Sequence, residues 1–416
     1  MSGGVGTPPD ILLASNGHGE DAIAAAIGRE LQRQAPGLRV AGLPLVGEGA
    51  AYERVGLQRL GPQALLPSGG FARLGWRNLQ ADLQAGLLGL LRRQGRALRQ
   101  ARPRLLVAVG DVFMLAFGRW ASGRPAVFVA TAKSDYIAPH WRSETFLMRH
   151  LALRVFARDE PTAASLRSRG VPAVCAGNVM MDLVSLPGGA AAGLRRPGCG
   201  GSAGRPWLAL LPGSHQDAAL NAVALGRAAR AVAALGRARG EPEPVFLMAV
   251  AAPAGSPALA ALIEQLRGDG WSVPPPAGLS PQPGWTALRQ NSGLTLWVCP
   301  GSFAPILHAA DLVLGLAGTA NEQAAGLGKP VVAFPAPGRQ FTARFLAAQK
   351  RLLGEALLPV PADPDAVARA VWELWKDPGR RRRMAAAGQA RMGPPGAAAR
   401  ISRALLEILA GLPPAG

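Results

Sequence analysis

The sequence DLVLGLAGTANEQAAGLGKPVVAFP, residues 311–335, has the composition of one parallel strand–helix–strand unit. Residues 311–316 form an apolar run as long as a buried strand, and residues 330–335 form a second one. Between them, residues 320–327 can form two helical turns, which a glycine ends. In such a unit a helix begins at the carboxyl end of a strand, where its unpaired backbone N–H groups and its dipole favour an anion. The stretch therefore predicts an α/β fold with an anion site beside Gly318.

Glu322 lies on the first turn of this predicted helix and has two candidate roles. Its carboxylate could accept hydrogen bonds from the hydroxyl pair of a ribose. Alternatively, Thr319 and Glu322 have the spacing of a capping box, in which Thr319 bonds forward and Glu322 bonds back. The local pattern alone favours the capping box, so the rest of the chain has to decide whether a nucleotide binds here.

The composition is that of a folded chain long enough for two domains. Of its 416 residues, 49% are hydrophobic and 17% are charged, which excludes a disordered chain. The 45 Lys and Arg residues exceed the 26 Asp and Glu residues and give a net charge of +19. This charge favours acidic partners such as anionic lipid or a phosphorylated substrate. The arginines are scattered without an aromatic platform, so nucleic acid is not an expected partner.

The cysteines and the N-terminal sequence indicate in which cellular compartment the protein works. The three cysteines lie far apart without a CxxC pair, which indicates neither a disulfide framework nor a zinc site. The first ten residues lack the basic and apolar regions of a signal peptide. No apolar run approaches the ~20 residues that a spanning helix needs. We therefore expect a cytoplasmic protein that needs no metal and associates peripherally with the inner (plasma) membrane.

The pattern of strands and helices restarts after a linker. Residues 10–186 open with a strand, the loop SNGHGED and a helix, and are predicted as a first Rossmann-like domain. Residues 187–206 are rich in Gly, Pro and Ala and are predicted as the linker. Residues 207–390 are predicted as the second domain. Residues 391–416 are predicted as a C-terminal helix that could pack back on the first domain.

Residues 65–102 form a basic amphipathic segment, in which apolar residues recur every three or four positions. Such a helix, with aromatic residues near its start, is typical of contact with an anionic membrane. A surface helix that packs on the core has the same pattern and is an equally good interpretation for most of the segment. Phe71 and Trp76 mark the part that we expect to contact lipid.

Five short motifs together resemble the lipid-A-disaccharide synthase family, most closely its cyanobacterial "lipid-A-disaccharide synthase-related" branch. They are SNGHGED (15–21), YIAPHWR (136–142), GNVMMD (177–182), LPGSH (211–215) and AGTANE (317–322). Their order and spacing match that family over nearly the whole chain. The resemblance implies the GT-B fold, in which two Rossmann-like, doubly wound domains face a cleft and C-terminal helices follow.

The resemblance implies a UDP-sugar donor site in the second domain, with UDP-sugar as co-substrate and no cofactor or metal. The expected contacts are Gly213, Ser214, Gly318 and Thr319 for the diphosphate, Glu322 for the ribose, Phe303 for the uracil, and Arg339 and Gln340 for sugar or phosphate. His215 stands where the synthases have an arginine, so a phosphate contact there is lost or becomes pH-dependent.

In the first domain, the resemblance implies that Asp111 is the catalytic carboxylate. His18 is the rival base, although the synthases have no histidine in that loop. The base would take the proton of an acceptor hydroxyl, which attacks C1 of the sugar as UDP leaves. From the residues alone, Asp111 could equally be the N-cap of the next helix, and His18 an ordinary solvated loop residue.

The leading prediction is a glycosyltransferase that moves a sugar of the N-acetylglucosamine type from UDP to a lipid acceptor, as in lipid A biosynthesis. One alternative is a UDP-sugar 2-epimerase of the same architecture, which turns over UDP-sugar without an acceptor or a membrane. The other is a non-catalytic sugar-nucleotide-binding protein, which binds UDP without turnover. The sugar, the acceptor and the oligomeric state, including a homodimer, stay open.

Overall fold

The computed structural model describes residues 7–47, 49–62, 87–186, 205–214, 216–274 and 284–413. The chain divides into two units. The first comprises Met1–Leu183 and Pro394–Gly416, and the second comprises Val184–Gly393. Most of the expected linker, residues 187–204, lies outside the described residues.

The first unit has a seven-stranded sheet of parallel strands in the order β3-β2-β1-β4-β5-β6-β7. Its strands are β1 (Ile11–Ser15), β2 (Val40–Pro44), β3 (Gln58–Arg59), β4 (Leu105–Gly110), β5 (Ala126–Ala130), β6 (Arg154–Ala157) and β7 (Ala173–Cys175). Its helices in this part of the chain include α1 (His18–Gln34), α2 (Ala50–Arg54), α3 (Leu87–Ala101), α4 (Val112–Ser122), α5 (Arg142–Leu151) and α6 (Glu160–Ser168). A 3₁₀ helix follows at Val179–Val184.

The central strands of this sheet are buried along their whole length and almost entirely apolar, because both of their faces are covered. Side chains alternate between the two faces, as in any strand. Leu12 and Leu106 therefore belong to one buried cluster, and Leu13 and Val107 belong to another.

The second unit also has a seven-stranded sheet, in the order β10-β11-β9-β8-β12-β13-β14. Only β10 is antiparallel to its neighbour among these described strands. The strands are β8 (Trp207–Leu211), β9 (Val245–Val250), β10 (Thr286–Arg289), β11 (Thr295–Pro300), β12 (Leu312–Gly315), β13 (Val331–Ala333) and β14 (Leu357–Pro359). The helices include α7 (Ala218–Ala238), α8 (Pro257–Gly268), α9 (Phe303–Ala309), α10 (Thr319–Gly326), α11 (Ala343–Leu353), α12 (Pro364–Lys376) and α13 (Pro378–Met392). The 3₁₀ helix Gly354–Ala356 follows α11.

A last helix, α14 (Ala397–Ala410), returns to the first unit. Ile401 and Leu405 join the buried cluster that contains Ile27 of α1. The Ser402 hydroxyl donates a hydrogen bond to the Ile27 carbonyl oxygen at 3.1 Å. The Asp182 carboxylate accepts hydrogen bonds from backbone N–H groups at the start of α14, where the helix dipole favours an anion.

Helix α3 covers the second half of the basic amphipathic segment. It buries Leu87, Leu90 and Leu98 and turns its arginines to solvent. The core-packing interpretation is therefore correct for α3. Phe71 and Trp76 lie outside the described residues, so their lipid contact stays a prediction.

Helix α7 corrects one expectation. Within the described part of the chain, it is the one helix that is long and apolar enough to cross a membrane. The expectation that no segment approaches this length is therefore wrong for α7. Leu225, Ala229 and Val232 lie on its buried face, as in a core helix of a Rossmann-like domain.

Candidate functional site

Each sheet has a point at which its strand order reverses. In the first unit this point lies between β1 and β4, and in the second unit it lies between β8 and β12. The loops that leave neighbouring strands in opposite directions open a crevice there, at the carboxyl ends of the strands. Asp111, Gly213, Ser214 and Gly318 lie in the loops that follow these strands, and His18, Thr319 and Glu322 lie in the first turns of the helices that come next.

Two glycine loops meet at this point in the second unit. One follows β8 and contains Gly213, and the other follows β12 and contains Gly318. Leu316 donates its backbone N–H to the Leu211 carbonyl oxygen at 2.9 Å. A side chain added at Gly213 would lie 3.6 Å from the Leu316 carbonyl oxygen. The structure therefore brings together the two motifs predicted to hold the diphosphate.

Helix α10 begins at Thr319, and its N-cap residue is Gly318, which offers no side-chain hydrogen bond. The capping box expected from Thr319 and Glu322 is therefore wrong, because Thr319 is already helical and lies one position too late. Ser214 and Thr319 are exposed, and Glu322 is half-buried. The predicted ligand contacts of Thr319 and Glu322 therefore do not compete with a capping box.

The loop between β13 and α11 carries Arg339 and Gln340 to the same edge of the sheet. Gln340 donates its backbone N–H to the Asp217 carboxylate at 3.0 Å. A side chain at Gly338 would collide with that carboxylate, 2.5 Å from its carbon. Because Asp217 directly precedes α7, this loop lies against the helix that follows the β8 loop. Arg339 is exposed, and His215 lies outside the described residues.

Phe303 occupies a more distant position on this edge. It is the first residue of α9, which follows β11, and it is half-buried. Strand β11 is two places from β8 in the sheet, a separation of about 10 Å. Phe303 therefore shares the edge with the glycine loops but lies to one side of them.

Three buried amide side chains near these loops were not predicted as site residues. Asn221, on α7, donates to the Pro212 carbonyl oxygen at 2.9 Å. Asn321, on α10, donates to Gln349 of α11 at 2.9 Å, and Gln349 donates to loop carbonyls. In the sequence, each of them is an isolated amide on an otherwise apolar helix face. Their hydrogen-bond partners could not be predicted, because those partners are distant in sequence.

Asp111 lies at the carboxyl end of β4 in the first unit. It is the N-cap of α4, and its carboxylate accepts a hydrogen bond from the Met114 backbone N–H at 3.1 Å. The capping interpretation is therefore correct, without excluding a second role. Burial raises the pKa of Asp111, and the hydrogen bond from Met114 opposes that rise. A carboxylate with a raised pKa is a better proton acceptor than an ordinary one.

His18 follows β1, the strand next to β4, and lies in a helix and not in the loop that the sequence predicted. It is the first residue of α1 and is exposed. A side chain added at Gly47 would lie 3.2 Å from Cε1 of the His18 ring. The two rival bases, His18 and Asp111, thus follow adjacent strands at the point where the order reverses.

Asp21 is a buried carboxyl group that sequence reasoning did not single out. The Ser15 hydroxyl donates to its Oδ1 at 2.5 Å and also lies 2.5 Å from the Tyr52 hydroxyl. Burial raises the pKa of Asp21 to about 7, the hydrogen bond from Ser15 opposes this rise, and Glu20 adds to it. Asp21 can therefore hold a proton near neutral pH.

The two edges differ in the chemistry that they offer. The edge of the second unit has glycine loops and helix N-termini, which suit an anion. The edge of the first unit has Asp111, His18 and Asp21, which suit proton transfer. Among the residues that the structure describes, no group of three or more His, Cys, Asp or Glu side chains could hold a metal ion.

No protein-family model matches the chain, and no curated protein matches it. Solved structures do match. The Methanocaldococcus jannaschii UDP-GlcNAc 2-epimerase, in complex with UDP-GlcNAc and UDP, is 15% identical with a TM-score of 0.55, covering 95% of this chain and 99% of that chain. The calicheamicin glycosyltransferase CalG4 is 16% identical with a TM-score of 0.58, covering 98% and 100%. MurG of Acinetobacter baumannii is 16% identical with a TM-score of 0.52, covering 96% and 100%.

Identities this low show the fold alone. The chain has the GT-B fold, with two Rossmann-like domains built on parallel sheets, as the sequence predicted. None of these three structures is a lipid-A-disaccharide synthase, so the narrower family resemblance stays a prediction.

Proposed function

We propose that the protein is a UDP-sugar-dependent hexosyltransferase that transfers a sugar to a lipid acceptor. The observation that carries this proposal is the meeting of the β8 and β12 loops, each of which leads into a helix. Gly213 and Gly318 leave room for phosphate, and the helix starts attract its charge. Glu322 lies one turn along α10, where its carboxylate can bind a ribose.

The nucleotide class has independent support. The M. jannaschii epimerase of the same fold is a complex with UDP-GlcNAc and UDP. In the proposed site, Ser214 and Thr319 bind the diphosphate with the two glycines, and Phe303 flanks the uracil. Arg339 and Gln340 contact the sugar or the phosphates, and His215 assists at the phosphates.

The transfer step needs a base for the acceptor hydroxyl. Asp111 or His18 takes its proton, the hydroxyl oxygen bonds to C1 of the sugar, and the bond between C1 and the UDP oxygen breaks. Negative charge then develops on the leaving diphosphate, and the N–H groups of the glycine loops stabilise it.

A lipid acceptor fits the surface of the first unit. Helices α3, α4 and α5 and their caps expose large apolar side chains: Leu88 (61% exposed), Trp120 (76%), Trp141 (70%) and Phe146 (62%). Arginines accompany them, including the exposed Arg92, Arg93 and Arg96 of α3. Exposed aromatic residues among arginines favour an anionic bilayer. These exposed side chains support our proposal that the enzyme works at the cytoplasmic face of the inner membrane.

The function is tested by incubating the protein with a panel of UDP-sugars, with and without total lipid extract. Mass spectrometry then measures released UDP, new glycolipids and epimerised UDP-sugar. We expect UDP release and a new glycolipid only when lipid is present. Conversion of a UDP-sugar without lipid would select the 2-epimerase, which the M. jannaschii structure favours as the second candidate. UDP binding without turnover would leave a non-catalytic binding protein.

A further inference from the structure

The loop after β12 is held from behind by a buried pair of amides, Asn321 and Gln349. Asn321 is 0% exposed and Gln349 is 3% exposed. The Asn321 amide donates to the Gly315 carbonyl oxygen at 3.1 Å and to Gln349 Oε1 at 2.9 Å. The Gln349 amide donates to the carbonyl oxygens of Ala317 and Gly318 at 3.1 and 3.0 Å.

These bonds determine where the loop's N–H groups point. In a planar trans peptide, the C=O of one residue and the N–H of the next point in opposite directions. Because Gln349 binds the carbonyls of Ala317 and Gly318, the N–H groups of Gly318 and Thr319 point away from it. Gly318 is half-buried and Thr319 is exposed, so this direction leads out of the core.

Neither of these two N–H groups donates a hydrogen bond to any described residue of the chain. They are two adjacent donors at the start of α10, beside the Gly213 loop, and they face the same way. Two such donors suit the oxygens of one phosphate group.

We propose that Gln349 and Asn321 are positioning residues for the diphosphate of the donor: they hold the Gly318 and Thr319 N–H groups toward it. This inference rests on the proposed UDP-sugar site. It assigns no contact between either amide and the ligand. Without the amide of Gln349, the two carbonyls lose their buried donors, and the peptide units can rotate.

Gln94 provides a matched control in the first unit. It is fully buried on α3, and its amide likewise donates to backbone carbonyls, that of Pro44 at the end of β2 at 2.9 Å and that of Pro62 after β3 at 3.0 Å. Gln349→Met and Gln94→Met remove the same chemical group at nearly constant volume. Both should lower thermal stability, but only Gln349→Met should change phosphate binding.

The test measures binding of UDP, inorganic pyrophosphate and uridine to the full-length protein and both variants, by calorimetry and by NMR titration for uridine. For Gln349→Met, we expect the affinity for UDP and pyrophosphate to fall about tenfold to a hundredfold, through loss of charge-assisted hydrogen bonds. Its affinity for uridine should not change. Gln94→Met should bind all three ligands like the wild type.

Two results overturn the inference alone: wild-type UDP affinity in Gln349→Met, or an equal loss of uridine and UDP affinity. A wild-type protein that binds neither UDP nor pyrophosphate overturns the proposed function and this inference together. If Gln349→Met does not fold, Gln349→Glu replaces it. That variant keeps the shape but turns an oxygen toward the two carbonyls, so the same selective loss of phosphate affinity is expected.

Discussion

Asp111 can serve two purposes with one carboxylate. It caps α4 through the Met114 N–H, and burial raises its pKa, which suits a base. Asparagine caps a helix about as well as aspartate but cannot take a proton. A single substitution can therefore separate the structural role of Asp111 from its proposed chemical role.

Asp111→Asn should reduce sugar transfer by about 100- to 10,000-fold, the usual contribution of a general base. Its melting temperature and its affinity for UDP should stay near those of the wild type. Asp159→Asn is the control, since Asp159 caps α6 in the same way. His18→Ala is measured in parallel, and full transfer activity in either variant removes that residue as the base.

Asp21 should make stability depend on pH. Its pKa is about 7 in the folded chain against 3.8 for an ordinary aspartate, so between these values only the folded chain keeps the proton. The free energy of unfolding should therefore fall as the pH rises from about 4 to 7, and this contribution should level off above 7. The loss can reach about 4 kcal/mol.

Asp21→Asn should remove this pH dependence, because the amide stays neutral and can still accept the hydrogen bond from Ser15. Urea unfolding of both proteins between pH 5 and pH 8 measures the difference. Identical slopes against pH for the two proteins would mean that Asp21 ionises normally in the folded chain.

At the scale of elements, local sequence patterns predicted the strands and helices, whereas roles that depend on distant contacts could not be predicted. Residues 311–335 predicted β12, α10 and β13, since apolar runs and glycines act locally. The start of α10 was misplaced by one residue, because Thr319 and Glu322 suit a capping box in isolation. The role of Gln349 could not be predicted, since it depends on a contact with Asn321 across 28 positions.

The exposed aromatic residues of α4 and α5 should contribute to membrane binding. Replacing Trp120 and Phe146 by Ser should release the protein from vesicles that contain anionic lipid, because burial of aromatic surface at the interface is lost. Sedimentation with vesicles measures the bound fraction. Leu220→Ser is the control, because Leu220 is an exposed apolar residue of the second unit. Equal binding of the double variant and the wild type would contradict a membrane role for these helices.

At the scale of the whole molecule, the first unit is assembled from both ends of the chain. Helix α14 supplies Ile401 and Leu405 to the cluster around Ile27. Repeated strand–helix patterns predicted the two doubly wound sheets, but their strand order depends on pairing between strands that are distant in sequence. The sequence suggested that the last helix could return to the first domain, but the pairing of α14 with α1 depends on contacts that no local pattern contains.

Ile401→Asp should destabilise the first unit by several kcal/mol, because it buries an unpaired charge. Scanning calorimetry should show a lower transition for that unit, while the transition that UDP stabilises should keep its temperature. Arg403→Asp, at an exposed position of the same helix, is the control. A variant in which both transitions shift equally would show that the two units unfold together.

The return of α14 also has a consequence for biosynthesis. A ribosome that adds about 5 to 20 residues per second needs roughly 10 to 40 s to make the second unit, and α14 emerges only afterwards. During that time, the apolar surface of α1 around Ile27 has no covering helix. The nascent first unit therefore offers a binding surface for chaperones, and chains that terminate early should be prone to aggregation and degradation.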